Sequence, residues 1–312
     1  MSQAPRHRST ALFWCHLVHT TILLALCLPL IGCGTHSRPA DVAIQKGIVH
    51  YKNRRFEQAA AAFGQAISLD ADNWRARFER ARARYQLQEY EQAISDLDDV
   101  LRLRPKSAPA FYNRGNALDE LGRFEEALSD YTRAIELDPT DGDFFNNRGY
   151  TLNRVGRHEQ AMQDFREVIR LEPDDPTGYV NRADTFLLLG EYGQAIADCE
   201  VALQLDPGAE IAYFNRAVAW VQKQEFERAE EDLSQAIHLD RGFAMAYAQR
   251  GLVRLERGLH YLAIVDFDKV IELNPEDATG YRQRAKAFEV SGQPDKAAHD
   301  LSRAAELQPT GD

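Results

Sequence analysis

From Ala40 onward the sequence matches itself every 34 residues, in eight copies that start at Ala40, Trp74, Ala108, Gly142, Pro176, Glu210, Ala244 and Ala278 without an insertion. A period of this length makes each copy a unit too small to bury its own apolar face, so the copies must stack. Small residues recur at two slots. The eighth reads Gly47, Ala81, Gly115, Gly149, Ala183, Ala217, Gly251 and Ala285, and the twentieth is alanine in every copy from Ala59 to Ala297. Small side chains at matched positions let two helices approach closely, with aromatic and aliphatic residues filling the space around the contact. Gly122, Gly156, Gly190, Gly258 and Gly292 stand between the two predicted helices, as expected just past a helix carboxyl end where positive φ is needed. The second helix ends near Pro105, Pro139, Pro173, Pro207, Pro275 or Pro309, which cannot continue it. Ala71 and Arg241 replace that proline after the first and sixth copies and predict looser or differently angled joints there.

One copy carries Phe111, Gly115, Leu118, Gly122, Phe124, Ala127, Tyr131, Ala134 and Pro139 at positions that resemble the tetratricopeptide repeat, a helix-turn-helix unit of 34 residues. The resemblance implies an all-α fold, a right-handed superhelical solenoid of eight repeats at 40–73, 74–107, 108–141, 142–175, 176–209, 210–243, 244–277 and 278–311. The twenty-eighth slot (Ile67, Leu101, Ile135, Ile169, Leu203, Ile237, Ile271) and a leucine at every thirtieth slot from Leu69 to Leu307 are expected to seal repeat to repeat. In the last copy the twenty-eighth slot becomes Ala305, which predicts a modest self-made cap; a homodimer contact through that C-terminal repeat is the competing expectation.

Repeats two to eight place arginine at the seventh slot and aspartate at the twenty-third, as in Arg114 and Asp130, Arg148 and Asp164, Arg182 and Asp198. Counting from each turn sets the two slots at similar heights on antiparallel helices, within a repeat and from one repeat to the next. The pattern predicts a structural charge ladder and leaves both pairings open.

The amino terminus has a different character. Arg6 and Arg8 precede a stretch from Ala11 to Gly32 without formal charge, whose apolar heart is Ile22 to Ile31, the layout of an export signal. It ends Leu30-Ile31-Gly32-Cys33, which resembles the bacterial lipobox. That resemblance implies a signal peptide at 1–32, lipidation of Cys33 after cleavage, and a short tether through residue 39. Two or three acyl chains, at about 0.8 kcal/mol per buried CH₂, anchor a protein stably where one does not. The expected location is the bacterial cell envelope, on the periplasmic face, with Gly34 rather than Asp after the cysteine favouring the outer membrane. An uncleaved single span with cytoplasmic repeats is the alternative, opposed by the two arginines before the span.

With 37 Lys and Arg against 48 Asp and Glu, the formal charge is −11, which speaks against nucleic acid because phosphate affinity comes from clustered cations. No catalytic constellation, phosphate loop, cofactor motif or metal-ligand spacing emerges. His36, His50, His158, His238, His260 and His299 are scattered, and Cys199 stands where other copies hold Phe, Tyr or Leu, so packing is its expected role.

In the tetratricopeptide family the first helices line a concave groove, with the second, fifth, ninth, twelfth and thirteenth slots facing it. Here those slots differ most between copies. Repeats two to four offer a polar and aromatic wall that includes Phe78, Arg82, Tyr112, Asn116 and Tyr150; repeats five to seven offer an apolar strip including Val180, Leu188, Phe214, Val218, Met245 and Leu252. The resemblance further implies that Asn113, Asn147 and Asn181, at the sixth slot, can hold an extended peptide backbone. The cations of the family's dicarboxylate clamp are missing, which speaks against chaperone tails. The expected partners are proteins or extended peptides, with membrane contact only through the amino-terminal lipid. The expected role is a non-enzymatic scaffold or adaptor of the envelope, similar in layout to pilotins and to adaptors that gather cell-wall enzymes.

Overall fold

The computed structural model describes residues 38–307, and every regular element among them is an α-helix. The signal peptide expected at 1–32, Cys33, most of the expected tether and Pro309 lie outside the described residues. Sixteen helices follow one another in pairs: α1 (Pro39–Lys52), α2 (Phe56–Leu69), α3 (Trp74–Gln86), α4 (Tyr90–Leu103), α5 (Ala108–Glu120), α6 (Phe124–Leu137), α7 (Gly142–Arg154), α8 (His158–Leu171), α9 (Pro176–Leu188), α10 (Tyr192–Leu205), α11 (Glu210–Gln222), α12 (Phe226–Leu239), α13 (Ala244–Glu256), α14 (His260–Leu273), α15 (Ala278–Val290) and α16 (Pro294–Glu306). Each pair is one 34-residue copy. The turn inside a pair passes through positive φ, at Gly122, Gly156, Gly190, Gly258 and Gly292 as expected, and at Arg54, Gln88 and Gln224 where glycine is absent. Several first helices start on a side-chain cap, with Asn73, Asp141, Asp175 and Asp277 accepting backbone N–H groups.

The two small slots obey a size rule. A Cβ on Gly47 would lie 2.5 Å from the ring of Phe63, on Gly115 2.8 Å from Tyr131, on Gly149 2.9 Å from Phe165, and on Gly251 2.5 Å from Phe267. Glycine at the eighth slot therefore always faces an aromatic at the twenty-fourth. Where the eighth slot is Ala81, Ala183 or Ala217, the twenty-fourth is the smaller Leu97, Cys199 or Leu233. Each pair fills the same gap between two helices, so one methyl on one side requires a smaller residue on the other.

The joints between repeats follow a similar rule at an unexpected place. The twenty-seventh slot, Ala66, Val100, Ala134, Val168, Ala202, Ala236, Val270 and Ala304, is buried throughout. It meets the third slot of the next repeat: Val100 packs with Ala110, and Ala134 makes room for Phe144. A Cβ on Gly178 would come 3.0 Å from Val168, and one on Gly280 3.1 Å from Val270. The expected seal is thus corrected. From Ile67 to Ile271 the twenty-eighth slot is buried or half-buried; at the thirtieth, Leu137 packs beside Ala134 and Phe144 and four other leucines are half-buried, whereas Leu69, Leu205 and Leu239 are exposed.

The joints lacking proline close with the same backbone hydrogen bond as most of those that carry it. The backbone N–H of Asn73 donates to the Asp70 carbonyl at 3.1 Å and that of Phe243 to Asp240 at 3.2 Å, the same closure that Ser107 makes to Arg104 at 3.1 Å beside Pro105. Arg77 also donates to the carbonyl of Ala71 at 2.7 Å, and Asp240 accepts from the N–H of Gly242 at 2.7 Å. At the two ends of the array, Val42, Val49 and Leu301 are exposed at slots that other repeats bury or half-cover, and Ala305 is exposed in place of a larger aliphatic residue.

Candidate binding groove

First helices touch the first helices of the next repeat, as α3 touches α5, α5 touches α7 and α9 touches α11, and each second helix packs between first helices. The first helices therefore lie on the inner, concave side of residues 39–307, and the outer side is built from second helices.

The charge ladder fixes how each pair of helices faces its partner. In all seven repeats that carry it, the arginine donates from Nε and Nη2 to both carboxylate oxygens of the aspartate sixteen residues on: Arg80 to Asp96, Arg114 to Asp130, Arg148 to Asp164, Arg182 to Asp198, Arg216 to Asp232, Arg250 to Asp266 and Arg284 to Asp300. The ion pair is thus within the repeat. The remaining Nη1 crosses the joint in four repeats: Arg114 to Asp98 at 2.6 Å, Arg148 to Thr132 at 3.1 Å, Arg250 to Ser234 at 3.0 Å and Arg284 to Asp268 at 2.6 Å. The guanidinium also lies over a ring at the fourth slot, as Arg182 does over Tyr179 at 5.8 Å. These aspartates are buried. Burial raises Asp164 above its ordinary value, and the Arg148 hydrogen bonds and charge oppose that shift. Hydrogen bonding to Asp130 is the leading cause that raises Arg114.

Many of the predicted groove residues are occupied by the joints. Asn147 Nδ2 donates to the Tyr112 hydroxyl at 3.0 Å and to Asn116 Oδ1 at 2.9 Å, and the Tyr131 hydroxyl donates to the same Asn116 oxygen at 2.9 Å. Asn181 donates to Asn146 Oδ1 at 2.6 Å, and Asn113 to the Pro109 carbonyl at 2.7 Å. Burial raises Tyr112, with Asp143 as the next cause. Tyr112 packs on Tyr131 and Phe144. Phe78 packs on the cluster around Leu97, Phe214 on Phe243, and Leu252 on the cluster around Phe267. Arg82 pairs with Glu79 at 2.9 Å and lies over Tyr51. The side chains left open along the inner face are Tyr150 at 55% exposure, Leu188 at 54% and Met245 at 37%, with Val180 and Val218 half-buried beside them. Three polar bridges on this side escaped the reading of the sequence: Thr151 to Asp119 at 2.7 Å, Arg154 to Asp119, and Asn153 to Thr185 at 2.8 Å. Their signal was the threonine at the tenth slot, Thr151 and Thr185, where Ala83, Ala117, Ala219 and Ala287 stand in other copies.

The groove's middle is acidic. Asp143 and Asp184 keep exposed side chains, yet surrounding protein displaces enough water to raise both above their ordinary value. Asp175 adds to the shift of Asp143, and the charge of His158 opposes that of Asp184. Burial raises Asp141 and Glu172 as well, reinforced by Asp143. Carboxylates with raised folded values contribute stability when protonated and lose it as pH rises through the folded value. Asp143→Asn is accordingly expected to raise the midpoint of urea unfolding at neutral pH and to flatten the gain in stability that wild type shows as pH falls toward the ordinary carboxylate range. Urea titrations at several pH values check this.

Among the described residues no group of three or more His, Cys, Asp or Glu is placed to hold a metal ion. His158 Nδ1 lies 3.1 Å from Asn153 Oδ1, and Cys199 is fully buried, its thiol pushed up to about 12 by burial. Both serve packing.

Three models described as tetratricopeptide repeat match the chain, at 44–108 and 183–244, at 108–141 and at 130–163. The chain belongs to the tetratricopeptide repeat family. Its fold is similar to a tetratricopeptide repeat protein from Parabacteroides merdae, 17% identical, over 86% of this chain and 100% of that one, with a TM-score of 0.65. It is also similar to a chain of the APC/C hetero-tetramer Cut9-Hcn1, 16% identical, over 89% of this chain and 55% of that one, with a TM-score of 0.63. YrrB, described as a TPR protein with an unusual peptide-binding site, is 24% identical over 60% of this chain and 96% of its own, with a TM-score of 0.50. No curated protein matches the chain as a relative.

Proposed function

We propose that the chain is a lipid-anchored scaffold of the bacterial envelope that binds proteins or extended peptides along its inner face. The observation that carries the binding reading is a contrast between two kinds of slot. Joint and ladder positions repeat from copy to copy, whereas the open inner positions vary: the slot of Tyr150 holds a different residue in every copy, and those of Leu188 and Met245 change between neighbouring copies. A purely structural array has no need of that variety. Binding of partners by tetratricopeptide repeats, and the peptide site named for YrrB, support the same reading.

The anchor rests on Leu30-Ile31-Gly32-Cys33 and on the basic start. Residues 34–39 span about 20 Å at most, so the first repeat lies close to the lipid. Assembly or regulation of envelope machinery follows as the role. An intact mass that begins at Cys33 and carries acyl chains is expected; a chain retaining residues 1–32 would sink the lipoprotein part and favour the single-span alternative.

Binding is tested by capturing tagged full-length protein from detergent-solubilised membranes beside a Tyr150→Ala, Leu188→Ala, Met245→Ala variant, which spares the joints. Specific partners are expected to disappear from the variant. Their retention would move the working surface to the outer face or to the exposed end around Leu301 and Ala305, where a homodimer contact would also show as a change in mass by light scattering.

A further inference from the structure

The inner face of repeats four to seven combines two properties that together specify a partner. Leu188 and Met245 are exposed there, and Val180 and Val218 are half-buried between them, forming an apolar strip across α9, α11 and α13. Such a strip is costly to leave in water unless something covers it. Carboxylates border it. Asp184 occupies the slot that holds Val218 in the next repeat, and Glu191, Glu225 and Glu256 stand exposed at the ends of the same helices or in the turns that follow. None of these four carboxylates is ion-paired with a cation among the described residues. Of the cations at the ends of these helices, Arg154 pairs with Asp119, Arg257 pairs with Glu227 and Glu230, and Lys223 is exposed at the end of α11; Arg282 and Lys286 are exposed on α15 of the next repeat.

We infer that this stretch of the groove takes a segment with an apolar stripe flanked by Lys or Arg, contributed by a partner protein. An apolar stripe covers Leu188, Val218 and Met245. Flanking cations meet a rim whose carboxylates have no Lys or Arg paired to them among the described residues, which favours that segment over an acidic one of equal hydrophobicity and speeds its encounter with the groove. The inference rests on the groove reading above and adds the chemistry of the occupant.

Fluorescence anisotropy on the full chain in detergent tests it with three short labelled peptides: an apolar stripe flanked by Lys, the same stripe flanked by Glu, and the Lys pattern without the stripe. The first is expected to bind about ten-fold tighter than either other peptide. Asp184→Lys with Glu256→Lys is expected to pass the advantage to the Glu-flanked peptide, and Leu188→Ser with Val218→Ser to weaken both striped peptides. Glu227→Lys with Glu231→Lys, on the outer helix α12, is expected to change nothing. Equal or preferred binding of the Glu-flanked peptide, still lost in the serine variant, overturns the basic partner and leaves the groove reading standing. Binding indifferent to the serine variant overturns both. No binding by any striped peptide, or an equal effect of the outer charge reversal, also overturns the inference.

Discussion

Gly251→Ala is expected to be among the most damaging single-methyl changes available in this chain. The added Cβ would lie 2.5 Å from Cε1 and 2.7 Å from Cζ of Phe267, a ring with 0% exposure held in the cluster around Ile264 and Ala287. Neither ring nor backbone has room to yield, so the cost belongs at the upper end of the about 1–3 kcal/mol typical of overpacking. The natural repeats supply the cure. Ala81 with Leu97, Ala217 with Leu233 and Ala285 with Leu301 hold these two slots, so Gly251→Ala with Phe267→Leu recreates a pair already used three times. Phe267→Leu alone leaves a cavity and destabilises as well. The double variant is expected to be more stable than the sum of the singles by about 1–3 kcal/mol of coupling, measured by urea unfolding of all four proteins. Additive losses would show that the size rule between the eighth and twenty-fourth slots is a coincidence of composition.

Asp266→Ala is the second large effect. This carboxylate is 1% exposed and accepts from Arg250 Nη2 at 2.7 Å and Arg254 Nη1 at 2.9 Å, so its removal leaves Arg250 without a carboxylate and Arg254 with Glu230 alone. Breaking a buried pair by deleting one partner costs about 3–5 kcal/mol, whereas exposed pairs contribute about 0–1 kcal/mol. Glu167→Ala, which removes the exposed contact of Glu167 with Arg170 at 2.8 Å, is the matching control and is expected to lie within that smaller range. Because a repeat array holds together by neighbour-to-neighbour interfaces, the loss at Asp266 should open repeats seven and eight before the amino-terminal repeats. Hydrogen exchange across α13–α16, compared with α3–α6, reads this directly. Similar losses for Asp266 and Glu167 would mean that the ladder is solvated and that its repetition has no energetic weight.

Much of this architecture is legible in the sequence, and the parts that are not share one cause. The 34-residue period places all sixteen helices, because small residues, turn glycines and prolines act locally and need no partner to be interpreted. Pairing across a gap is different. The letters of Gly47 and Phe63, or Ala81 and Leu97, stand in plain sight, yet their covariation means something only once the eighth and twenty-fourth slots are known to touch. The ladder shows the same limit: Arg114 and Asp130 are evident as a pattern, but heights along antiparallel helices allow both pairings, and only the bidentate geometry places the ion pair within a repeat. Leucine at the thirtieth slot is too regular a signal, since Leu69, Leu205 and Leu239 are exposed while Leu137 packs at its joint, and the less conspicuous Ala66 and Ala236 are fully buried there. In the groove, Tyr112, Asn116 and Asn147 are where the inner face predicts them, but they bond to one another across the joint of repeats three and four. Candidate contact residues from the sequence alone thus mix joint with surface, and exposure separates them.

The working surface can be located by placing a photo-crosslinking amino acid at single positions of the full-length protein in cells. Tyr150 and Leu188 report on the inner face; Tyr261, at 71% exposure, and Val265, at 60%, report on an apolar patch of the outer helix α14. The account predicts that a partner is trapped from positions 150 and 188 and not from 261 or 265. Trapping from α14 with none from the inner face would contradict it and make the outer side of repeat seven the binding surface.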